Sequence, residues 1–254
     1  MIDLFQTYWQ SFLWTDGQQW SGVVVTLLLL IVATLGGFVL SIPLALGRVS
    51  SSRSLSAVIW LYTYTFRTTP LYVQLLIIYS GLYSLSFIQN TALLNSFFRD
   101  AYCCTLFAFV LNECAYMTEI LVGSIRASNR GEVEAGRAFG LSATVLNLKV
   151  ILPSALRRAL PAYSNEVIFM LHGTTLAFTA TVPDILKVAR DVNAETYATF
   201  STYGLASLLY LMISFCIIAG FNRAEKRWLR HLKPRVAKNT PEHPVPTIKE
   251  GRLV

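Results

Sequence analysis

The chain has 254 residues, 54% of them hydrophobic and only 14% charged, with a net charge of +7 and a mean hydropathy of +0.51. This balance excludes an ordinary soluble domain. The apolar residues gather in blocks near the ~20 residues needed to cross a bilayer, so an all-α polytopic membrane protein is predicted. Cys103, Cys104, Cys114 and Cys216 lie in apolar blocks without metal-ligand spacing, and His172, His231 and His243 are too scattered for a metal site.

Five spans are expected. The first runs from about Gly22 to Leu46. The second is complicated by Arg67, because an arginine buried in lipid costs roughly 2.5–3.5 kcal/mol even on a lenient scale. Thr68 or Thr69 can cap a helix that begins at Pro70, where a missing N–H does no harm. Span two then covers about Pro70 to Ile88. Leu55–Phe66, with Trp60, Tyr62, Tyr64 and Phe66, becomes an interfacial elbow of belt aromatics. Spans three to five are placed at about Tyr102–Ile125, Pro161–Val182 and Phe200–Phe221. The tail after Leu232 carries Pro234, Pro241, Pro244 and Pro246 and is expected to be disordered, leaving 1–232 as the membrane domain.

The 21 Lys and Arg residues set the orientation. None precedes span one, one lies between spans two and three, and two lie between spans four and five. The other 18 fall on the alternate side, which makes that side cytoplasmic and the N-terminus periplasmic. The excess charge is therefore a topology signal, and no nucleic-acid surface is indicated. The N-terminal segment lacks the positive region of a cleaved signal peptide, so span one is expected to be retained.

The most basic internal loop, about 126–160, contains GEVEAGRAFGLSATVLNLKVILP at 131–153. Small residues (Ala135, Gly136, Ala138, Gly140) stand among charges, followed by an apolar stripe at Ala138, Leu141, Val145 and Leu148. Gly140 can end one short helix, and Ser142 can cap a second that stops before Pro153. Such a knob either docks on another protein or lies on the inner leaflet. Acidic Glu132 and Glu134 and the lack of Trp speak against the leaflet.

The same residues carry a resemblance. Glu134-Ala135, then Gly140, then Val150-Ile151-Leu152-Pro153 resemble the EAA loop of ABC-importer permeases, with Gly136 in place of the second Ala. Arg67-Thr68-Thr69-Pro70-Leu71, Ala115-Tyr116-Met117-Thr118-Glu119 and Pro161-Ala162-Tyr163-Ser164-Asn165-Glu166 extend the likeness over nearly the whole chain. It is most similar to M-type permeases of the polar amino-acid uptake family that serve histidine, lysine, arginine and ornithine. The resemblance implies a type I importer fold. It also implies an ATPase-coupling role for Glu134, Ala135, Gly136, Gly140 and Leu141. The implied partners are ATPase subunits, a second homologous permease subunit and a periplasmic basic-amino-acid-binding protein, besides the membrane lipid. The external connections are too short to hold a solute-binding domain of their own. No phosphate loop of the G-x-x-x-x-G-K-[ST] type is present. ATP and Mg are accordingly expected on the partner ATPase, with no cofactor in this chain and no enzyme activity of its own.

Polar residues within the spans complete the reading. Asn165, His172, Thr175 and Thr179 fall on one helical face of span four, with Glu166 beside it. Asn112, Tyr116 and Glu119 share a face of span three, with Glu113 adjacent. Intramembrane acids suggest function, while Asn and Thr as readily glue helices together. Glu113, Glu119, Asn165, Glu166, His172 and Thr175 are the candidate substrate path, Glu113 and Glu166 the candidate counter-charges. A membrane scaffold that recruits a cytoplasmic partner without transport is the alternative, and it leaves those polar faces without purpose.

Overall fold

A computed structural model describes residues 2–228, and the expected disordered tail lies outside the described residues. Among them the chain is helical, without strands. A short helix α1 (Ile2–Leu13), not anticipated from the sequence, precedes α2 (Val23–Arg48), α3 (Arg53–Thr68) and α4 (Leu71–Leu76). A π turn (Ile77–Gly81) and a 3-10 turn (Leu82–Ser84) extend α4. The short α5 (Ser86–Asn90) and α6 (Ala92–Arg99) lead to the central helix α7 (Ala101–Arg126). After α8 (Arg130–Ala138) and α9 (Ala143–Leu146), a π turn (Asn147–Ile151) runs into α10 (Leu152–Gly173) and a 3-10 segment (Thr174–Ala180). Then come α11 (Ile185–Thr196) and α12 (Thr199–Trp228).

Three of these helices, α2, α7 and α12, are long and apolar enough to cross a membrane alone. The other two expected spans are composite. Helical turns from Leu71 to Ser84 are too short to cross by themselves. The fourth span tightens into 3-10 geometry after Gly173 and ends at Thr181, in the left-handed region.

Two sequence-based boundaries need correction. Leu55–Phe66 is no elbow but most of α3, a regular helix whose N-cap Ser52 accepts from Leu55 N–H. The true break is at Thr69-Pro70. Neither threonine caps α4, because Thr68 and Thr69 hydroxyls donate back to Tyr64 and Thr65 carbonyls, closing α3 instead. Thr69 is extended, as a residue before proline prefers, and Pro70 itself is the N-cap. Likewise, the second knob helix does not stop before Pro153. The i→i+5 bonding of the preceding π turn and Pro153's place in the first turn of α10 let the helical path continue past a residue without an N–H.

α7 packs against α2, α3, α4 and α10. Its closest approach is to α2, where a Cβ at Gly37 would lie 2.5 Å from Cγ of Glu113. Only a small residue permits that approach. α12 packs on α10 and α11 and scarcely touches α2.

At the end of the spans remote from the knob, Asp184 and its neighbours tie α11, α12 and α2 together. Asp184 is fully buried. Its carboxylate accepts from the N–H groups of Leu186 (3.2 Å) and Lys187 (2.9 Å), capping α11, and from the Tyr210 hydroxyl of α12 (2.9 Å). Ile185 N–H donates to Thr26 of α2, and Gly22 N–H to the Pro183 carbonyl.

Burial raises the Asp184 pKa to about 6, against the opposing pull of the Lys187 amide and the Tyr210 hydroxyl. With the folded pKa above the ordinary 3.8, the folded state holds this proton more tightly than the unfolded state. The contribution is therefore full below about pH 4 and lost as pH rises through about 6. We expect the thermal stability of the solubilised protein, measured from pH 4 to pH 7.5, to fall more steeply in the wild type than in Asp184→Asn. Parallel profiles would contradict this.

Candidate functional site

Two constellations stand out, one beside the Thr69-Pro70 break and one in the 126–160 loop. In the loop, Asn129 caps α8 by accepting from Gly131 N–H at 3.0 Å. The helix ends with Gly140 N–H donating to Arg137 carbonyl (2.9 Å) and Leu141 N–H to Gly136 carbonyl (3.1 Å). This paired closure needs a left-handed residue, and Gly140 supplies φ +75°. Ser142 then caps α9 by accepting from Val145 N–H. The expected helix–turn–helix knob is present.

Its small residues divide into two kinds. Gly136 is buried, and a Cβ there would lie 2.5 Å from Cδ1 of Leu146. Its smallness serves the inside of the knob, not a partner. Glu134, Ala135, Gly140 and Leu141 are exposed. So are Leu148 and, above all, Phe139, 87% accessible at the tip. Phe139 was missed by the stripe reading because it lies off the helical spacing. The signal available was an aromatic residue set between Ala138 and Gly140 in a polar loop. Phe139, Leu141 and Leu148 thus leave the knob with exposed apolar side chains.

The knob is held to the spans by Arg158. Its guanidinium donates to the Ser124 carbonyl from Nε (3.3 Å) and Nη2 (3.1 Å), to Ser128 Oγ (2.8 Å) and to Ser154 Oγ (2.6 Å). The end of α7, the entry to α8 and the start of α10 are thereby clasped by one side chain.

The second constellation is a cleft of about 320 Å³ lined by Leu71, Asn112, Tyr116, Glu166, Phe169 and Met170. The helix break above it exposes main-chain carbonyls, and neighbouring side chains satisfy them. Gln74 Nε2 donates to the carbonyls of Phe66 (2.7 Å) and Thr69 (3.0 Å). Asn112 Nδ2 donates to Phe66 carbonyl (3.3 Å) and to Gln74 Oε1 (3.0 Å). Tyr116 donates to Arg67 carbonyl (3.2 Å) while its ring lies 5.4 Å beneath the Arg67 guanidinium. Glu166 is half-buried, within electrostatic reach of Arg67. Among the described residues no hydrogen bond engages its carboxylate.

The remaining expected path residues are not in this cleft. Glu119 accepts from Thr63 at 2.8 Å and faces Arg48 Nε at 3.7 Å, joining α7 to α3 and α2. Glu113 is fully buried against Gly37, on the side of α7 facing α2, with neither oxygen hydrogen-bonded. Asn165 and His172 are exposed beside Glu166. Thr175 and Thr179 donate to carbonyls of their own segment. The 3-10 turn also removes both from the continuous face that α-helical spacing predicts.

The family described as binding-protein-dependent transport system inner membrane component matches residues 37–231. The chain is 57% identical over 234 residues to the histidine/lysine/arginine/ornithine transport system permease protein HisM of Escherichia coli strain K12, covering 92% of this chain and 98% of that one. It is 35% identical over 223 residues to the nopaline transport system permease protein NocM of Agrobacterium fabrum strain C58, covering 87% and 92%. Among solved structures, an amino acid ABC transporter crystallised with histidines superposes with a TM-score of 0.71 at 30% identity, over 81% of this chain and 92% of that one. The MetNI methionine ABC transporter, at 15% identity and a TM-score of 0.69 over 81% and 94%, shares the fold.

Two substitutions test the knob. A left-handed backbone costs a non-glycine residue roughly 1–2 kcal/mol, with Asn the best tolerated. Nothing lies within 4 Å of a Cβ at Gly140, so the strain there is backbone alone. Gly140→Val should therefore lower co-purification of the docked partner several-fold, and Gly140→Asn should retain most of it. Equal behaviour of the two would exclude backbone conformation as the cause. Arg158→Gln should leave membrane insertion intact but loosen the clasp, increasing protease cleavage between Ser124 and Ser154. Unchanged cleavage would remove Arg158 as the strut.

Proposed function

The chain belongs to the family of binding-protein-dependent transport system inner membrane components, and from that membership we propose that it passes histidine, lysine, arginine and ornithine across the inner membrane as a permease subunit of an ATP-driven importer. A scaffold without transport is not favoured. The single observation that carries the substrate class is Glu166. A carboxylate without a hydrogen-bond partner among the described residues faces a cleft walled by Leu71, Phe169 and Met170 and by Asn112 and Tyr116, whose donors are engaged at the helix break. Such a site matches a cation on an aliphatic stem, since opposite charges attract more strongly where water is scarce.

The partners follow from the same reading. The exposed tip at Phe139, with Glu134 and Leu141 beside it, is the surface for a separate ATPase that binds ATP and Mg. A second homologous permease subunit closes the exposed Asn165 and His172 flank of the cleft. A periplasmic binding protein delivers substrate at the opposite end, near α11. The 18-to-3 distribution of Lys and Arg supports a cytoplasmic knob and a periplasmic N-terminus.

Uptake by Glu166→Gln, normalised to subunit abundance, tests the charge reading. At pH 7.5 transport of lysine and arginine should fall roughly tenfold relative to histidine, whose side chain is largely neutral above a pKa of about 6.5. At pH 5.5 histidine becomes cationic and should lose the same advantage. Glu113→Gln, away from the cleft, should leave the ratio unchanged. A constant lysine-to-histidine ratio in Glu166→Gln would sink the proposal.

A further inference from the structure

A second feature of α10 lies along the face that carries Pro153, Leu156, Leu160 and Tyr163. Near the knob, an apolar cleft of about 770 Å³ opens between Phe38 of α2, Met117 of α7 and Leu156 and Leu160 of α10, with Arg157 and Trp228 in its walls. Another of about 530 Å³ continues it past Tyr163, which lines both, between Leu27 and Ile31 of α2 and Ile217 and Phe221 of α12. The groove exists because α12 rests on α10 and α11 and leaves α2 uncovered.

Its dimensions and charge select an occupant. Along α10 it runs from Pro153 to Val167, fourteen residue steps or about 21 Å at ~1.5 Å each. That equals one leaflet of a bilayer with its headgroups, half of roughly 40–45 Å. Arg157 is the one charged group in its walls among the described residues, and it is exposed. It has no ion-pair partner among the described residues, whereas its neighbour Arg158 is consumed by the clasp. Trp228, an amphipathic ring suited to headgroup depth, stands at the same end. α12 carries Lys226 and Arg227 in its last turn.

We propose that this groove binds one anionic phospholipid of the knob-side leaflet, an acyl chain lying along α2, α10 and α12 and the phosphate pairing with Arg157. The choice of lipid over protein rests on the proposed importer reading, in which the second permease subunit covers the Glu166 face and leaves this face to the bilayer. The lipid wedges α12 apart from α2, so the spacing of these two spans depends on it.

The assembled importer, purified in detergent and delipidated, is the material for the test, with native mass spectrometry counting retained phosphatidylglycerol and phosphatidylethanolamine per copy of this chain. The wild type should retain one phosphatidylglycerol, favoured at least about fivefold over phosphatidylethanolamine. Arg157→Gln should remove the preference, and Leu160→Trp, which fills the groove, should cut retention several-fold while both partner subunits still co-purify. Three results would overturn the site: no retained phospholipid in the wild type, equal retention in Leu160→Trp, or release of the second permease subunit by Leu160→Trp, which would make that subunit the occupant. Equal retention of both lipids by the wild type would overturn the anionic choice. Lipid retention without amino-acid uptake would uphold the groove and reject the importer reading instead.

Discussion

A main-chain carbonyl without a partner in a hydrocarbon environment costs several kcal/mol, and the break at Thr69-Pro70 creates a cluster of them. Gln74 stands at the centre of the solution. From α4 its amide reaches back across the break to the Phe66 and Thr69 carbonyls at the end of α3, while its own oxygen accepts from Asn112 of α7. The angle between α3 and α4 is thus fixed by a polar network anchored on the central helix. The cleft depends on that angle, since Leu71 forms one wall and Arg67 approaches Glu166 from the same turn. Asn112 and Tyr116 serve this network with hydrogen bonds already committed, which makes them builders of the cleft before they are anything else.

Rigidity is distributed unevenly around α7. Toward α2 the helices meet backbone to backbone at Gly37, and toward α3 Glu119 joins Thr63 and Arg48. Toward the knob, Arg158 binds α7 and α10 to a single loop. A displacement of the knob must therefore carry both helices, and with them two walls of the cleft, because α7 bears Asn112 and α10 bears Glu166. Among the described residues α12 shows no comparable polar tie to another helix along its knob-side half; it packs on α10 and α11 and is bonded to Asp184 at the far end. α2, α3, α7 and α10 thus form a clasped block, on which α12 rests by apolar packing against α10 and by the Tyr210–Asp184 hydrogen bond at its remote end.

The long apolar blocks made α2, α7 and α12 legible in the sequence, because length and hydropathy alone define them. Gly140 and Ser142 were equally legible, since local backbone chemistry leaves few alternatives to a left-handed turn followed by a cap. The irregular spans were not. Arg67 signalled a break, but the place of the break turned on whether Thr69 would bond forward or back, and that is decided by a competition of nearly equal local hydrogen bonds. The continuation through Pro153 rested on a π turn that no residue pattern announces. Gly136 looked like part of a contact surface and proved to be a packing requirement of the knob itself, since only the fold brings Leu146 against it.

The two intramembrane acids show most plainly what tertiary context adds. Glu113 and Glu166 were indistinguishable by depth and residue type, yet one packs into the α2–α7 contact and the other opens on the cleft. On the proposed function, a single carboxylate in this chain then meets the substrate cation. A lone carboxylate attracts ammonium, guanidinium and imidazolium by charge, and guanidinium can add a bidentate fork to that attraction. The facing walls reinforce this tolerance, for Met170 is flexible and Leu71 and Phe169 offer no polar group to leave unpaired. Discrimination between stems of different length would need a second polar group free to bond at a set distance, and the donors of Asn112 and Tyr116, the other polar side chains in these walls, are taken by Phe66, Gln74 and Arg67. On that proposal the cleft would select a charge class and not one amino acid, which is the breadth that a shared uptake route for lysine, arginine, ornithine and histidine requires.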